Sequence, residues 1–167
     1  MAVQKGADQG LTDAVGRAHR LAKAGLDEAR RAVGLLRDEE LPGPERLPAL
    51  AQSYAADTGT PCTLEVSGAE RALSSEARLA VYRVAQEALT NVRKHARPER
   101  VELHLCYQAE GTRLSVEDFD PDGSSMFEDM GEGYGLTGMR ERAELLGGEL
   151  MASATASGFR VELWVPA

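Results

Sequence analysis

The sequence predicts an α+β fold, a two-layer α/β sandwich of one mixed sheet with helices on one face, preceded by one long amphipathic helix. Three observations indicate this class: a long helical pattern near the start, a second in mid-chain, and pairs of strand-like runs joined by glycine turns. Helices followed by paired strands are typical of α+β domains. The length of 167 residues, with 43% hydrophobic and 28% charged residues, suits one globular domain with an appendage.

Composition and charge exclude several classes of function. The 19 basic and 27 acidic residues give a net charge of −8, which argues against nucleic acid as a partner, because phosphates need a basic surface. No apolar run approaches the ~18 residues of a membrane span, so we expect no membrane contact by this chain. Cys62 and Cys106 form neither a disulfide framework nor a zinc cluster, which favours a cytoplasmic setting. A membrane anchor elsewhere in a full-length protein stays an open possibility.

The first forty residues are expected to lie apart from the main domain. Residues 1–10 are polar and are expected to be disordered or left by trimming. From Leu11 to Arg37 the apolar residues step by three and four, which predicts one amphipathic helix within residues 11–40. Two prolines around Gly43 end it. Since a single apolar stripe has nothing of its own to pack against, we expect this helix to associate with a second copy.

A compact domain is predicted over residues 45–167. Its predicted helices are Glu45–Asp57, Glu76–Ala96 and Leu136–Leu146. Its predicted strands are Cys62–Val66, Val101–Tyr107, Arg113–Glu117, Glu149–Thr155 and Arg160–Val165. The helix 76–96 has the strongest pattern, with Ser74 or Ser75 as its N-cap and Pro98 beyond its end. A long acidic loop, rich in glycine and serine, is predicted from Asp118 to Tyr134, and loops of this length are commonly functional.

The polar face of the helix 76–96 is the first candidate site. Glu87, Asn91 and His95 are spaced i, i+4 and i+8, and Lys94 lies beside them, so all four share one face. A carboxylate, an amide oxygen and cations in one row suit a hydrated Mg²⁺ with a phosphate. The spacing alone also fits a solvated helix face.

A glycine-rich segment is the second candidate. Gly133, Gly135 and Gly138 follow the pattern G-x-G-x-x-G at the start of a helix, where backbone amides favour phosphate. A dinucleotide-binding Rossmann unit is rejected, because a polar loop precedes the motif and strand pairs follow it. A flexible loop that enters a helix remains the alternative.

Three spaced aspartates form the third candidate. Asp118, Asp120 and Asp122 come directly after an apolar strand, and a buried carboxylate there can accept a hydrogen bond from an exocyclic amine such as that of adenine. Calcium is disfavoured, because the glycine and glutamate of an EF-hand loop are not at the required offsets. An acidic turn stays open. We expect Asp120 and Asp122 to be exposed at the start of the loop.

Taken in this order, the three candidates resemble the nucleotide-binding set of the GHKL ATPases. The likeness is greatest to the two-component sensor histidine kinases that act with helix-turn-helix response regulators. "VYRVAQEALTNVRKHA" is similar to the N-box, "GEGYGLTGMRERAELLGGEL" to the glycine box and "GFRVELWVP" to the closing strand of that branch. "RAHRLAKAGLDEARRAVGLLR" resembles the second helix of its dimerisation and phosphotransfer domain. The likeness therefore spans nearly the whole chain.

The resemblance implies a protein histidine kinase, as the full-length protein, with ATP and Mg²⁺ as cofactors. It implies that Glu87 orients or activates the attacking group, that Asn91 ligates Mg²⁺ on the phosphates and that Asp118 binds the adenine amine. The other implied nucleotide-binding residues are Lys94, His95, Gly123, Gly133, Gly135, Leu136 and Gly138. The implied partners are a second copy, bound through the helix 11–37, and a response regulator with a helix-turn-helix output.

The chain also departs from this branch. The acceptor histidine of the branch lies on a preceding helix, and His19 is on the wrong helix, so no phosphoacceptor is expected here. Asp120 and Asp122 stand where the branch has glycines, and Phe159 where it often has threonine. Two alternatives follow: a degenerate nucleotide-binding module that serves as a dimer and regulator scaffold, and an anti-sigma-factor serine kinase. The predicted helix 11–37 argues against the second.

Overall fold

The structure is a computed structural model that describes residues 41–120 and 134–167. The chain from Pro42 to Ala167 forms one compact unit. The predicted helix within residues 11–40, the predicted disorder of residues 1–10 and most of the predicted acidic loop lie outside the described residues.

Three α-helices lie within the described residues. Helix α1 is Leu47–Thr58, preceded by the short 3₁₀ turn Pro44–Arg46, and it ends at Gly59, whose φ of 75° is left-handed. Helix α2 is Ser75–His95, and the Ser74 side chain caps it by accepting a hydrogen bond from the Ala77 N–H at 3.1 Å. Helix α3 is Tyr134–Leu145.

Five strands form one sheet in the order β1-β2-β3-β5-β4. The strands are β1 Cys62–Ser67, β2 Arg100–Tyr107, β3 Gly111–Phe119, β4 Glu149–Ala154 and β5 Gly158–Pro166. Strand β1 pairs with β2 in parallel, while the other three pairs are antiparallel. The connection from β1 to β2 is therefore a crossover, and α2 forms it.

The helices cover one face of this sheet, and the core lies between the two layers. Side chains alternate along each strand, so that Val101, Leu103 and Leu105 of β2 are buried while Glu102 and His104 face outward. Helix α2 supplies the middle of the core through its alanine and valine stripe, including Ala80, Val84 and Ala88. The predicted two-layer α+β sandwich with a mixed sheet is confirmed.

The element boundaries differ from the sequence-based prediction by at most two residues, and two of these differences lie next to the candidate site. Strand β3 runs to Phe119, so Asp118 lies within a strand and not at the start of a loop. The reason is tertiary: Asp118 is paired with Val101 on one side and Phe159 on the other. Helix α3 begins at Tyr134, two residues earlier than predicted. Among the described helices, none is long and apolar enough to cross a bilayer.

Candidate functional site

Helix α2 presents the predicted polar row at the edge of its buried stripe. Viewed along the helix, Glu87, Asn91, Lys94 and His95 fall within an arc of about 100°. Asn91 is buried, with 9% of its surface exposed, whereas Glu87 and His95 are half-buried and Lys94 is exposed. The row thus runs from the core to solvent, which suits a charged ligand that is only partly enclosed.

The last turn of α2 is basic. Arg93, Lys94 and His95 lie there, next to the helix end at Ala96. Cations at a helix C-terminus interact favourably with the macrodipole, so these side chains also stabilise the helix.

Asp118 is the last but one residue of β3, and its side chain lies on the core side of the sheet. Val101 and Phe159 are its neighbours across the two strand pairs, and only 1% of its surface is exposed. Helix α2 packs against β3 and also against α3, so the elements that carry the candidate residues are in contact. The helices and the strand that carry the described candidate residues are thus neighbours in the fold.

The two carboxylate oxygens of Asp118 have different surroundings. Oδ1 accepts a hydrogen bond from the Phe159 N–H at 3.3 Å. Oδ2 is buried and has no hydrogen-bond partner among the described residues. A buried polar atom without a partner is costly in a stable fold, and a ligand or a water molecule can satisfy it. Thr112 Oγ1, near the other end of β3, is likewise buried without a partner among the described residues.

The environment of Asp118 also changes its acidity. The pKa of this carboxyl is raised to about 6: burial is the largest cause, the hydrogen bond from the Phe159 N–H opposes it, and the nearby carboxyls of Asp120 and Glu117 add smaller increases. The sequence provided no indication of this shift, because it arises from the apolar neighbours across the sheet.

Asp120 corrects one sequence-based expectation. Only 4% of its surface is exposed, so the prediction that it is an exposed loop residue is wrong. The Asp120 N–H donates to the Ser157 carbonyl at 2.7 Å, which extends the β3–β5 pairing beyond the last paired residues and draws Asp120 inward. Asp122 lies outside the described residues.

Gly158 is a site residue that the sequence motifs did not single out. A Cβ at this position would lie 2.0 Å from the Asp118 carbonyl oxygen and 2.7 Å from Asp118 Oδ1. Only glycine permits β5 to approach Asp118 this closely and to place the Phe159 N–H against its carboxylate. The one indication in the sequence is its position in the Ser157-Gly158 turn, which predicted a reversal and no more.

The predicted glycine-rich segment is described only in part. Gly135, Leu136 and Gly138 lie in the first turns of α3, whereas Gly123 and Gly133 lie outside the described residues. A Cβ at Gly138 would have no described heavy atom within 4 Å, so packing in the described part of the chain does not require glycine there. The described residues also contain no cluster of three or more His, Cys, Asp or Glu that could hold a metal ion.

Comparison with protein families identifies the class. Residues 76–167 match the family described as histidine kinase-, DNA gyrase B- and HSP90-like ATPases. This match covers more than half of the chain, which therefore belongs to that family, and a domain of this ATPase family binds ATP.

The relatives that it resembles are sensor kinases. The chain is 37% identical over 145 residues to the signal transduction histidine-protein kinase/phosphatase UhpB of Salmonella typhimurium, covering 84% of this chain and 28% of the relative. It is 32% identical over 149 residues to the sensor histidine kinase YxjM of Bacillus subtilis, covering 87% and 36% respectively. The chain is a histidine kinase ATPase domain by this homology, and it spans about a third of the length of these two relatives.

Solved structures agree on the fold. The Acinetobacter baumannii histidine kinase AdeS matches with a TM-score of 0.58 at 14% identity, over 87% of this chain and 83% of that one. The Erythrobacter litoralis EL346 blue-light activated histidine kinase matches with a TM-score of 0.56 at 23% identity, over 75% and 45%. At these identities the likeness shows the fold alone.

Proposed function

We propose that this chain is the ATP-binding catalytic part of a bacterial sensor histidine kinase. The full-length protein would transfer the γ-phosphoryl group of ATP to a histidine on a helix that this sequence does not contain. That phosphohistidine would then supply a response regulator. The observation that carries the proposal is the buried Asp118 Oδ2, which lacks a partner among the described residues in a domain of an ATP-binding family.

The adenine base would bind against the end of β3. Asp118 Oδ2 is an acceptor when the carboxyl is ionised, and the exocyclic amine of adenine is a donor. The Phe159 N–H fixes the carboxylate through Oδ1, so the other oxygen is held in one orientation. Gly158 permits that contact and is a positioning residue.

The triphosphate would lie along α2. Asn91 would contribute one amide oxygen to Mg²⁺, and the phosphates and water would complete the coordination, since Mg²⁺ takes few protein ligands. When bound, the metal neutralises phosphate charge during transfer. Lys94 and His95 would lie near the phosphates, and Glu87 would orient or activate the attacking histidine nitrogen.

The start of α3 would complete the phosphate site. Gly135 and Leu136 would present backbone amides of the first turn of α3, where partial positive charge favours phosphate, and Gly138, in the next turn, would leave room for the phosphates. Gly123 and Gly133 are assigned to the same role from their motif alone. The open space around Gly138 supports a glycine kept for ligand approach and not for packing.

We assign two partners to the full-length protein. A second copy would bind through the helix predicted at residues 11–37, and a response regulator with a helix-turn-helix output would receive the phosphoryl group. The domain would lie in the cytoplasm. Sedimentation at high protein concentration tests the first assignment: a reversible dimer is expected, and a strict monomer with residues 11–37 protected from amide exchange would contradict it.

Calorimetry with Mg²⁺-ATP tests the nucleotide site. The parent should bind ATP more tightly with Mg²⁺ than in EDTA, because Asn91 acts through the metal. Asn91→Ala should weaken Mg²⁺-ATP at least tenfold, about 1.4 kcal/mol, and should leave binding in EDTA almost unchanged. Thr90→Ala is the matched control, since the Thr90 hydroxyl donates to the Gln86 carbonyl of its own helix at 2.8 Å.

The outcomes distinguish the alternatives. A parent that binds no ATP under any condition would favour the degenerate scaffold. Equal weakening of ATP by Asn91→Ala with and without Mg²⁺ would remove the metal role and leave Asn91 as a packing residue. The anti-sigma-factor kinase gains nothing from the relatives, both of which are named as histidine kinases.

A further inference from the structure

The two oxygens of Asp118 are not equivalent toward a proton. Oδ1 already accepts the Phe159 N–H, whereas Oδ2 has no partner among the described residues. An oxygen that accepts a hydrogen bond is the poorer base of a carboxylate, so a proton bound to Asp118 resides on Oδ2. Oδ2 is therefore an acceptor when Asp118 is ionised and a donor when it is protonated.

Asp120 lies close enough to influence which form is present. It follows Asp118 by two residues in the strand direction, so both side chains start from the same face. Both are buried, with 1% and 4% of their surfaces exposed. The carboxyl of Asp120 raises the pKa of Asp118, as does burial, which is the larger cause. The Asp120 carboxyl therefore disfavours a negative charge on Asp118.

The other titratable and charged groups near Asp118 include a third acid, a phenol and two arginines. Glu117 raises the pKa of Asp118 from the opposite face of β3, where Arg160 donates to its carboxylate at 2.6 Å. From α1, Tyr54 faces Asp118: burial is the main cause of the raised pKa of Tyr54, the Asp118 carboxylate adds to it, and Arg93 of α2 opposes it. The buried side chains that β2, β5, α2 and α3 contribute to the described core are neutral, among them Val101, Asn91 and Met139. On α2, Glu87 is half-buried and lies on the same face of the helix as Asn91.

We propose that Asp120 is a specificity-determining residue of the nucleotide site: together with the burial of Asp118, its buried carboxyl favours the form whose Oδ2 donates to a base carbonyl over the form whose Oδ2 accepts from a base amine. This proposal rests on the function proposed above. An ionised Asp118 selects a 6-aminopurine, because it accepts from the amine and repels a carbonyl oxygen. A protonated Asp118 loses that preference, since its Oδ2–H matches a 6-oxopurine. Because the Asp120 carboxyl raises the pKa of Asp118, Asp118 stays protonated up to a higher pH than it would without Asp120.

Paired measurements with ATP and inosine triphosphate test this. The two ligands carry the same triphosphate, so phosphate ionisation cancels in the ratio of their dissociation constants. For the parent, the preference for ATP should fall at least fivefold from about pH 8 to about pH 5, since a carboxyl with a pKa of about 6 changes state in this range. Asp120→Asn should retain the preference to lower pH, with the midpoint displaced downward.

Two further measurements make the result decisive. Glu162→Gln removes one negative charge from the opposite face of the sheet, where Arg113 pairs with it, and should follow the parent profile. A carboxyl ¹³C titration of Asp118 without nucleotide should show a lower midpoint in Asp120→Asn than in the parent. This readout does not depend on ligand binding.

The failures are distinguishable. If the parent binds ATP but its profile coincides with that of Asp120→Asn, the role of Asp120 is wrong and the ATP site stands. If the ¹³C midpoint does not move in Asp120→Asn, the coupling of the two carboxyls is wrong. If the parent binds neither nucleotide at any pH, the proposed function fails and this inference fails with it.

Discussion

Glu117 and Asp118 are consecutive carboxylates in one strand, yet the fold treats them in opposite ways. Glu117 faces outward, where Arg160 donates to its Oε2 from Nε at 3.1 Å and from Nη2 at 2.6 Å. Asp118 faces the core, where Oδ1 accepts one backbone N–H and Oδ2 has no described partner. One residue step turns the side chain to the other face of the sheet, so one acid is neutralised by a cation and the next is buried among apolar neighbours.

The two acids also differ in what they do for the stability of the fold. The Glu117–Arg160 pair lies beside a second ion pair on the outer face, between Arg113 and Glu162, and both are of the partly exposed kind that contributes little to stability. Asp118 costs stability at neutral pH, and the hydrogen bond from the Phe159 N–H offsets only part of that cost. A fold retains such a residue where a ligand uses it.

The largest expected effect on stability comes from adding a side chain at Gly158, where β5 lies directly against Asp118. Gly158→Ala would place a Cβ 2.0 Å from the Asp118 carbonyl oxygen, so β5 must shift away from β3. We expect a loss of about 3 kcal/mol in the free energy of unfolding, measured by urea denaturation, at the upper end of overpacking costs. Gly138→Ala is the control: with open space around its Cβ, it should stabilise α3 by about 0.5–1 kcal/mol. Equal stability of the two variants would show that β5 is not held closely against Asp118.

The next effect concerns pH. Burial raises the pKa of Asp118 from 3.8 to about 6, so the folded state binds its proton more readily than the unfolded state. The stabilisation from protonation is therefore complete below about pH 4 and is lost as the pH rises to about 6. Between about pH 4.5 and pH 7 the parent should lose about 2 kcal/mol relative to Asp118→Asn, by urea denaturation at each pH. Parallel stability curves for the two proteins would contradict the raised pKa.

The smallest effect is expected on the outer face. Glu117→Gln leaves the Arg160 side chain, which is 46% exposed, to be solvated by water. The free energy of unfolding should fall by at most about 1 kcal/mol, and ATP affinity should change less than twofold. A loss of ATP affinity as large as that of Asp118→Asn would mean that the two faces of β3 are not independent.

The sequence predicts the elements of this fold better than it predicts the burial of its acids. Helix α2 and the strand pairs follow from local periodicity, and the Ser74 cap follows from residue type. The end of β3 and the start of β5 do not follow from local sequence, because the Asp, Pro and Gly residues there are typical of a loop. Asp118 stays in the strand since it pairs with Phe159, 41 residues away, and no local pattern encodes that register.

The same limit applies to the site. Glu87, Asn91 and His95 could be placed on one helix face from their spacing, because helical geometry is local. The burial of Asp120 and the close approach of Gly158 depend on how β5 lies against β3. Both were missed for that reason, although they surround the residue that the sequence assigned to the base.

The crossover through α2 has a mechanical consequence. Strands β1 and β2 are hydrogen-bonded neighbours, and α2 is the segment of chain that joins them. The helix is thereby tethered to adjacent strands at both ends, so β1, α2 and β2 should open together as one slow block in amide exchange. Asn91 lies on this helix, so it should belong to the same slowly exchanging block and hold a fixed position relative to β1 and β2.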